Sequence, residues 1–307
     1  MLAATLLAAA LMTQGDTGRR IAITFDDLPL SRAATPVAAQ ESLTVALVAA
    51  LTAARVPAIG FVNEGKLRGD DRAVDPRRVA LLTRWLDAGL ELGNHTATHP
   101  DLHQVPLADV EADLLAGEAI LRPLLAARGA TPRYFRHPYL HTGRSLAVRD
   151  ALLAFLEAHG YEVAPVTMDN GDYLFARAYD LARDRGDRAA ADRITAEYLA
   201  YLERVVVFWE RQSVAITGRE IPQVLLLHAN ALNAATFPRI AGLLAGRGYT
   251  AIPLAQALAD PVYRSDDRYT GPAGMSWLHR WAITRGLPGS TFRGEPEVPE
   301  WVQAAAR

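Results

Sequence analysis

Short β-type apolar runs that stop abruptly at polar residues recur along most of this chain, and amphipathic stretches follow most of them. That rhythm restricts the fold more than any other feature. The runs lie at 21–25, 56–62, 90–93, 134–135, 161–166, 224–227 and 249–253, with helical patterns at 42–55, 76–88, 107–128, 147–158 and 238–247. Gly89, Gly129, Gly160 and Gly248 stand at the ends of four helices, where a residue free to turn left-handed is needed. Alternation at this spacing predicts a mostly parallel α/β sheet, and about seven units predict a closed or nearly closed barrel.

One stretch departs from the rhythm. Residues 178–212 read as a long helical insertion, broken into two helices near Gly186, beside the barrel mouth. The apolar run Leu2–Met12 has the length of a secretory core, so residues 1–18 are expected to be an export leader or an N-terminal extension. Such a leader would place the protein outside the cell or in the periplasm. Residues 19–260 would form the main domain, and 261–307 an extension packed on the barrel. No later run reaches ~18 apolar residues, so no membrane span is expected.

Composition removes several chemistries. With 32 basic against 34 acidic residues, the chain lacks the charge of a nucleic-acid reader. Cysteine is absent, which excludes thiolate catalysis and Cys-ligated metal. Lys66 is the only lysine, in a Gly65-Lys66-Leu67 setting that is not a phosphate-cradling loop. A protein metal site must therefore use His, Asp or Glu.

The residues that end each run supply such a set: Asp26-Asp27, Asn94-His95 with His99, Arg136-His137-Pro138-Tyr139, Asp169 with Asp172, and His228 with Asn230. In a parallel sheet all strand C-termini meet at one edge, where active sites form. On a helical turn, the i, i+4 spacing of His95 and His99 would put both imidazoles on one face, close enough to share a cation. A carboxylate from Asp26-Asp27 would complete three ligands. Because side chains alternate along an extended strand, one of these aspartates would bind metal and the other stand by as general base. Asn230 and Asn233 suit either substrate contact or the cap of a helix starting near Ala235.

The motifs Thr24-Phe25-Asp26-Asp27, His95-Thr96-Ala97-Thr98-His99, Arg136-His137-Pro138-Tyr139, Asp169-Asn170-Gly171-Asp172-Tyr173 and Leu225-Leu226-Leu227-His228 resemble, in order, the five motifs of polysaccharide deacetylases. These are carbohydrate esterase family 4, with the NodB homology domain. The resemblance implies a distorted (β/α)7 barrel with the helical insertion before the last motif. It implies a divalent metal, usually zinc with cobalt or nickel possible, held by Asp27, His95 and His99. Asp26 would be the base, paired with Arg136, and His228 the acid, tuned by Asp172. Pro138 and Tyr139 would lie on the oxyanion side; Tyr173, where the family usually has Trp, and Asn230 would lie on the substrate side. The implied reaction is removal of acetyl from an N-acetyl amino sugar or O-acetyl sugar. Hydrolysis of small non-sugar amides or imides at the same site is a second reading. A third is a non-catalytic carbohydrate-binding barrel.

Overall fold

The computed structural model describes residues 18–32, 34–69 and 71–307; the apolar run expected to direct export lies outside them. The chain runs β1 (Arg19–Leu28), α1 (Val37–Ala53), β2 (Ile59–Val62), α2 (Pro76–Asp87), β3 (Glu91–Asn94), α3 (Leu107–Ala116) and α4 (Leu121–Ala126). It continues with β4 (Tyr134–Phe135), α5 (Leu146–Ala158), β5 (Glu162–Val163), α6 (Asp172–Asp184), α7 (Arg188–Thr217) and β6 (Gln223–His228). Last come α8 (Ala231–Gly246), β7 (Tyr249–Ala251), α9 (Leu254–Leu258), α10 (Trp277–Thr284) and α11 (Glu300–Ala305).

All strand pairs are parallel, in the order β5-β4-β3-β2-β1-β6, with β7 on the first residues of β1. After β5 the chain returns to the opposite edge, where Met168 bridges Leu225 in parallel. The sheet thereby curls into the expected barrel. Its central strand β1 is buried on both faces from Ile21 to Asp26, as a strand covered by helices must be. Phe25 anchors the packing, with its ring 5.8 Å from both Trp85 of α2 and Phe237 of α8.

Besides α1, which begins at Val37 and not at residue 42, two helix expectations change. The stretch 107–128 is two helices rather than one. A Cβ on Gly117 would come within 2.9 Å of the backbone at Thr96, so the helix breaks where it passes the loop after β3. The buried Glu64 carboxylate then caps α4, accepting from the Ile120 and Leu121 N–H groups. At α8, Asn230 caps the first turn through Asn233 N–H at 2.7 Å, so the helix starts seven residues before Pro238 and contains it.

The insertion does form two helices. They are parted at Gly186, which turns left-handed (φ 70°). Buried Glu210 on α7 pairs with Arg19 and Arg247, tying the insertion to the start of β1 and the end of α8. Residues 261–307 pack against the same insertion: Trp301 of α11 lies 4.0 Å beneath the Arg193 guanidinium, and His279 of α10 rests against Trp209. Trp277, His279 and Trp281 are buried helix residues that form core. Among the described residues, no helix is long and apolar enough to cross a membrane.

Candidate active site

The strand C-termini open into a cavity of about 860 Å³, whose lining includes Asp26, Asp27, His95, His99, Tyr139 and His228. Asp26 and Asp27 both face it, although neighbours on a regular strand point apart. The β1–β2 register shifts between Phe25 and Leu28, and Asp27 is left-handed (φ 73°). That bulge swings both carboxylates to one side.

His95 and His99 also meet, but not on the helical turn expected from their spacing. Residues 95–99 form a loop in which Thr96 (φ 66°) and His99 (φ 63°) turn left-handed, bringing the rings to 4.7 Å edge-on. The His95 Nδ1–H donates to the Arg136 carbonyl at 2.8 Å, which fixes the tautomer and leaves Nε2 free as a ligand. Asn63 and Asn94 hold the loop at its start, through the His95 carbonyl and Thr96 N–H respectively.

One donor atom from each of Asp27, His95 and His99 lies within 4.8 Å of the others. Burial holds both imidazoles below the ordinary histidine value, the neutral form a metal needs. Burial alone would raise Asp27, yet Lys66 and the surrounding histidines hold it well below the usual carboxylate range, so it is an anion. Two neutral imidazoles and a carboxylate suit a dication with positions left for water or substrate. Asp26 Oδ1 adds to the fit, since it is buried and without a hydrogen-bond partner.

Burial pushes Asp26 up to about 6, against the opposing pull of Arg136 and then His228. The fully buried Arg136 guanidinium lies 3.5 Å from Asp26 Oδ2, donates to Thr24 Oγ1 at 3.1 Å, and sits 4.7 Å over the Phe61 ring. His228 closes the other side. Burial would lower it, but Asp172 accepts from its Nδ1 at 2.6 Å and raises it to about 10. Asp172, the aspartate expected to tune His228, is the one bonded to it. Asp169 lines the cavity, pushed up to about 6 by burial.

Tyr139, left-handed (φ 55°) and exposed, sets its ring 4.5 Å from that of His99. Tyr173 is also exposed, 6.1 Å from the His228 ring. Pro138 begins the short turn that carries Tyr139. Asn230 is buried and does not line the cavity; its Oδ1 caps α8, so of its two expected roles the structure shows the cap.

A second group, Asp101, His103 and His141, also brings donor atoms together. Its imidazoles stack at 3.8 Å with planes 9° apart, so their in-plane lone pairs run parallel and do not converge on a cation. Two other features escaped sequence reasoning. Tyr201, Val205 and Trp209 of α7, with Glu295–Val298 of the tail, form one wall of the cavity; they lie far from any motif. The other is the ion pair between Lys66 and Asp27.

Fold and site together define a parallel α/β barrel with three convergent donor residues, Asp27, His95 and His99, flanked by a carboxylate and a histidine. Residues 13–164 match the family described as Polysaccharide deacetylase, and Asp172 and His228 lie beyond that stretch. It is 36% identical over 121 residues to a chitooligosaccharide deacetylase of Bradyrhizobium sp. (strain ANU 289), covering 39% of this chain and 46% of that protein. To the chitooligosaccharide deacetylase of Sinorhizobium fredii it is 37% identical over 117 residues, 38% of this chain and 45% of the other. The chain thus spans under half the length of these relatives. The structure of the peptidoglycan deacetylase PdaC from Bacillus subtilis superposes with TM-score 0.51 at 18% identity, over 80% of this chain and 93% of that one, a likeness of fold.

Proposed function

We propose that this protein is a metal-dependent hydrolase that removes acetyl groups from acetylated carbohydrate, N-acetyl amino sugar or O-acetyl sugar. One observation carries the reading. A three-donor set, an orphaned carboxylate oxygen and an aspartate-bound histidine border the same cavity.

Asp27, His95 and His99 are the residues that would hold the dication, most simply zinc, with cobalt or nickel as alternatives. Bound there, it supplies Lewis acidity toward water and the acyl carbonyl. Asp26 takes the proton from the attacking water, and Arg136 fixes that carboxylate in place. The Tyr139 backbone N–H donates to the carbonyl oxygen as charge builds on it, with Pro138 setting its turn. His228, kept protonated by Asp172, gives its proton to the departing nitrogen or oxygen, and acetate is released. Tyr173 borders the acyl side.

The test is acetate release from acetylated chito-oligosaccharides and acetylated xylan. Activity should vanish with chelator and return with zinc; release that persists in chelator overturns the assignment. A second reading keeps this chemistry and takes small non-sugar amides or imides as substrates. The wall of Trp209, Glu297 and Val298 favours it by bounding the cavity on one side. Cyclic imides tested beside acetylated sugars decide between the two. The reading also takes residues 1–18 as an export leader, 19–260 as the catalytic unit and 261–307 as its extension. The mature N-terminus recovered from an exporting host checks the leader.

A further inference from the structure

The chain holds 31 arginines and one lysine, and that lysine stands on the carboxylate read above as a metal ligand. Lys66 Nζ lies 2.8 Å from Asp27 Oδ1 and 3.4 Å from the Asp27 carbonyl oxygen. Asp27 Oδ1 is also the oxygen that faces His99 Nε2, at 4.0 Å. One oxygen therefore serves two cation positions. The lysine does not line the large cavity; it borders a separate cleft that shares His99 with it.

The placement is built into the fold. Lys66 sits on the short turn Glu64–Leu67 after β2. Gly65 N–H donates to the Ala97 carbonyl at 2.8 Å, and a Cβ at Gly65 would lie 2.7 Å from that oxygen. The turn is thus pressed onto the loop carrying both histidine ligands. Arg78 holds it from the other side, through the Lys66 carbonyl at 2.9 Å. Among the described residues, the other ion pairs use Arg or His. A guanidinium would grip the carboxylate with two parallel bonds, whereas an ammonium is a single point charge on a flexible stem that can withdraw.

We propose that Lys66 is a resident counter-cation, which holds the Asp27 oxygen when no dication is bound and competes with the dication for it. In the cation-free protein it neutralises a carboxylate held on a left-handed bulge. When a dication arrives, like charges would crowd one oxygen, and the ammonium gives way. Lys66 thus lowers the affinity of the centre and keeps the empty site folded. This rests on the metal reading of Asp27, His95 and His99.

The test compares wild type with Lys66→Met, which keeps the stem and removes the charge, by zinc titration against a competing chelator and by melting with and without zinc. The zinc Kd should fall by about tenfold or more as the competing like charge is removed. The zinc-induced rise in Tm should be larger than in wild type, because the variant's cation-free form is weakened and its binding strengthened. Lys66→Arg should show no such gain. A Kd unchanged or raised in Lys66→Met, or an equal Tm rise, overturns the proposal in favour of an orienting or structural lysine. If that variant does not fold, wild type still answers. Its single ε-amine can be followed by reductive methylation, resolved from the α-amine by peptide mass. Labelling should be faster with zinc than without; an equal or slower rate overturns the proposal. A wild-type protein that takes up no zinc overturns the metal reading itself, and this proposal with it.

Discussion

Asp172 holds His228 at two points, accepting from its backbone N–H at 2.8 Å and from its ring Nδ1–H at 2.6 Å. The first fixes where β6 ends relative to α6, and the second fixes the ring and its charge. The Asn233 side-chain amide Nδ2 donates to the same carboxylate at 2.7 Å, so the aspartate stays aimed.

Asp172→Asn should therefore move the alkaline limb of the rate profile. His228 must be protonated to act as acid, and burial alone would lower it; the Asp172 charge raises it to about 10. Removing that charge lowers the histidine's pKa, so activity should be lost at lower pH than in wild type. The pH dependence of kcat/KM checks this, and an unmoved limb would contradict the assignment of His228 as acid.

Asp26→Asn should lower kcat by ~10²–10⁴-fold, the usual weight of a general base. Zinc uptake should persist, because the proposed ligands, Asp27, His95 and His99, do not include Asp26. In wild type the base acts only when ionised, so activity should fall as pH drops below a limb no higher than about 6, the value set by burial before any dication pulls it down. Parallel rate and zinc-content measurements separate base from ligand.

His99→Ala should weaken zinc binding by more than about 100-fold, well beyond the usual cost of losing a partner behind a ligand. The fold should survive, since His99 is partly exposed on a loop and anchors no strand. Circular dichroism beside metal content reads both. Loss of structure without loss of zinc affinity would contradict a ligand role.

Gly171→Ala tests the join between tail and site. A Cβ there would lie 2.4 Å from Val298 Cγ2 and 3.4 Å from the Tyr201 hydroxyl, directly before Asp172. Overpacking of this kind costs about 1–3 kcal/mol. Denaturant melts should show that loss, and Val298→Ala in the same chain should recover part of it. Additive losses would place the strain elsewhere.

Much of this was legible in the chain because strand-end chemistry is local in sequence. Asp26-Asp27, His95, His99, Arg136 and His228 each close a β-type run, and a parallel sheet must gather such ends. How adjacent aspartates share one cavity was not legible, since a bulge at Asp27 obeys register with β2 rather than local pattern. The histidine pair shows the same limit: its spacing matched a helical turn, yet left-handed Thr96 and His99 bring the rings together in a loop. Asn230 offered two roles by pattern, and packing under α8 selected the cap. Lys66 and the Glu295–Val298 wall reach the site through tertiary contacts that leave no periodic mark.

The most direct measurement is a crystal structure of the zinc-soaked protein with anomalous differences at the zinc edge. One peak should lie within ~2.0–2.2 Å of an Asp27 oxygen and of the His95 and His99 imidazole nitrogens. A protein that binds no zinc there, or a peak seated at Asp101, His103 and His141 instead, would contradict the account.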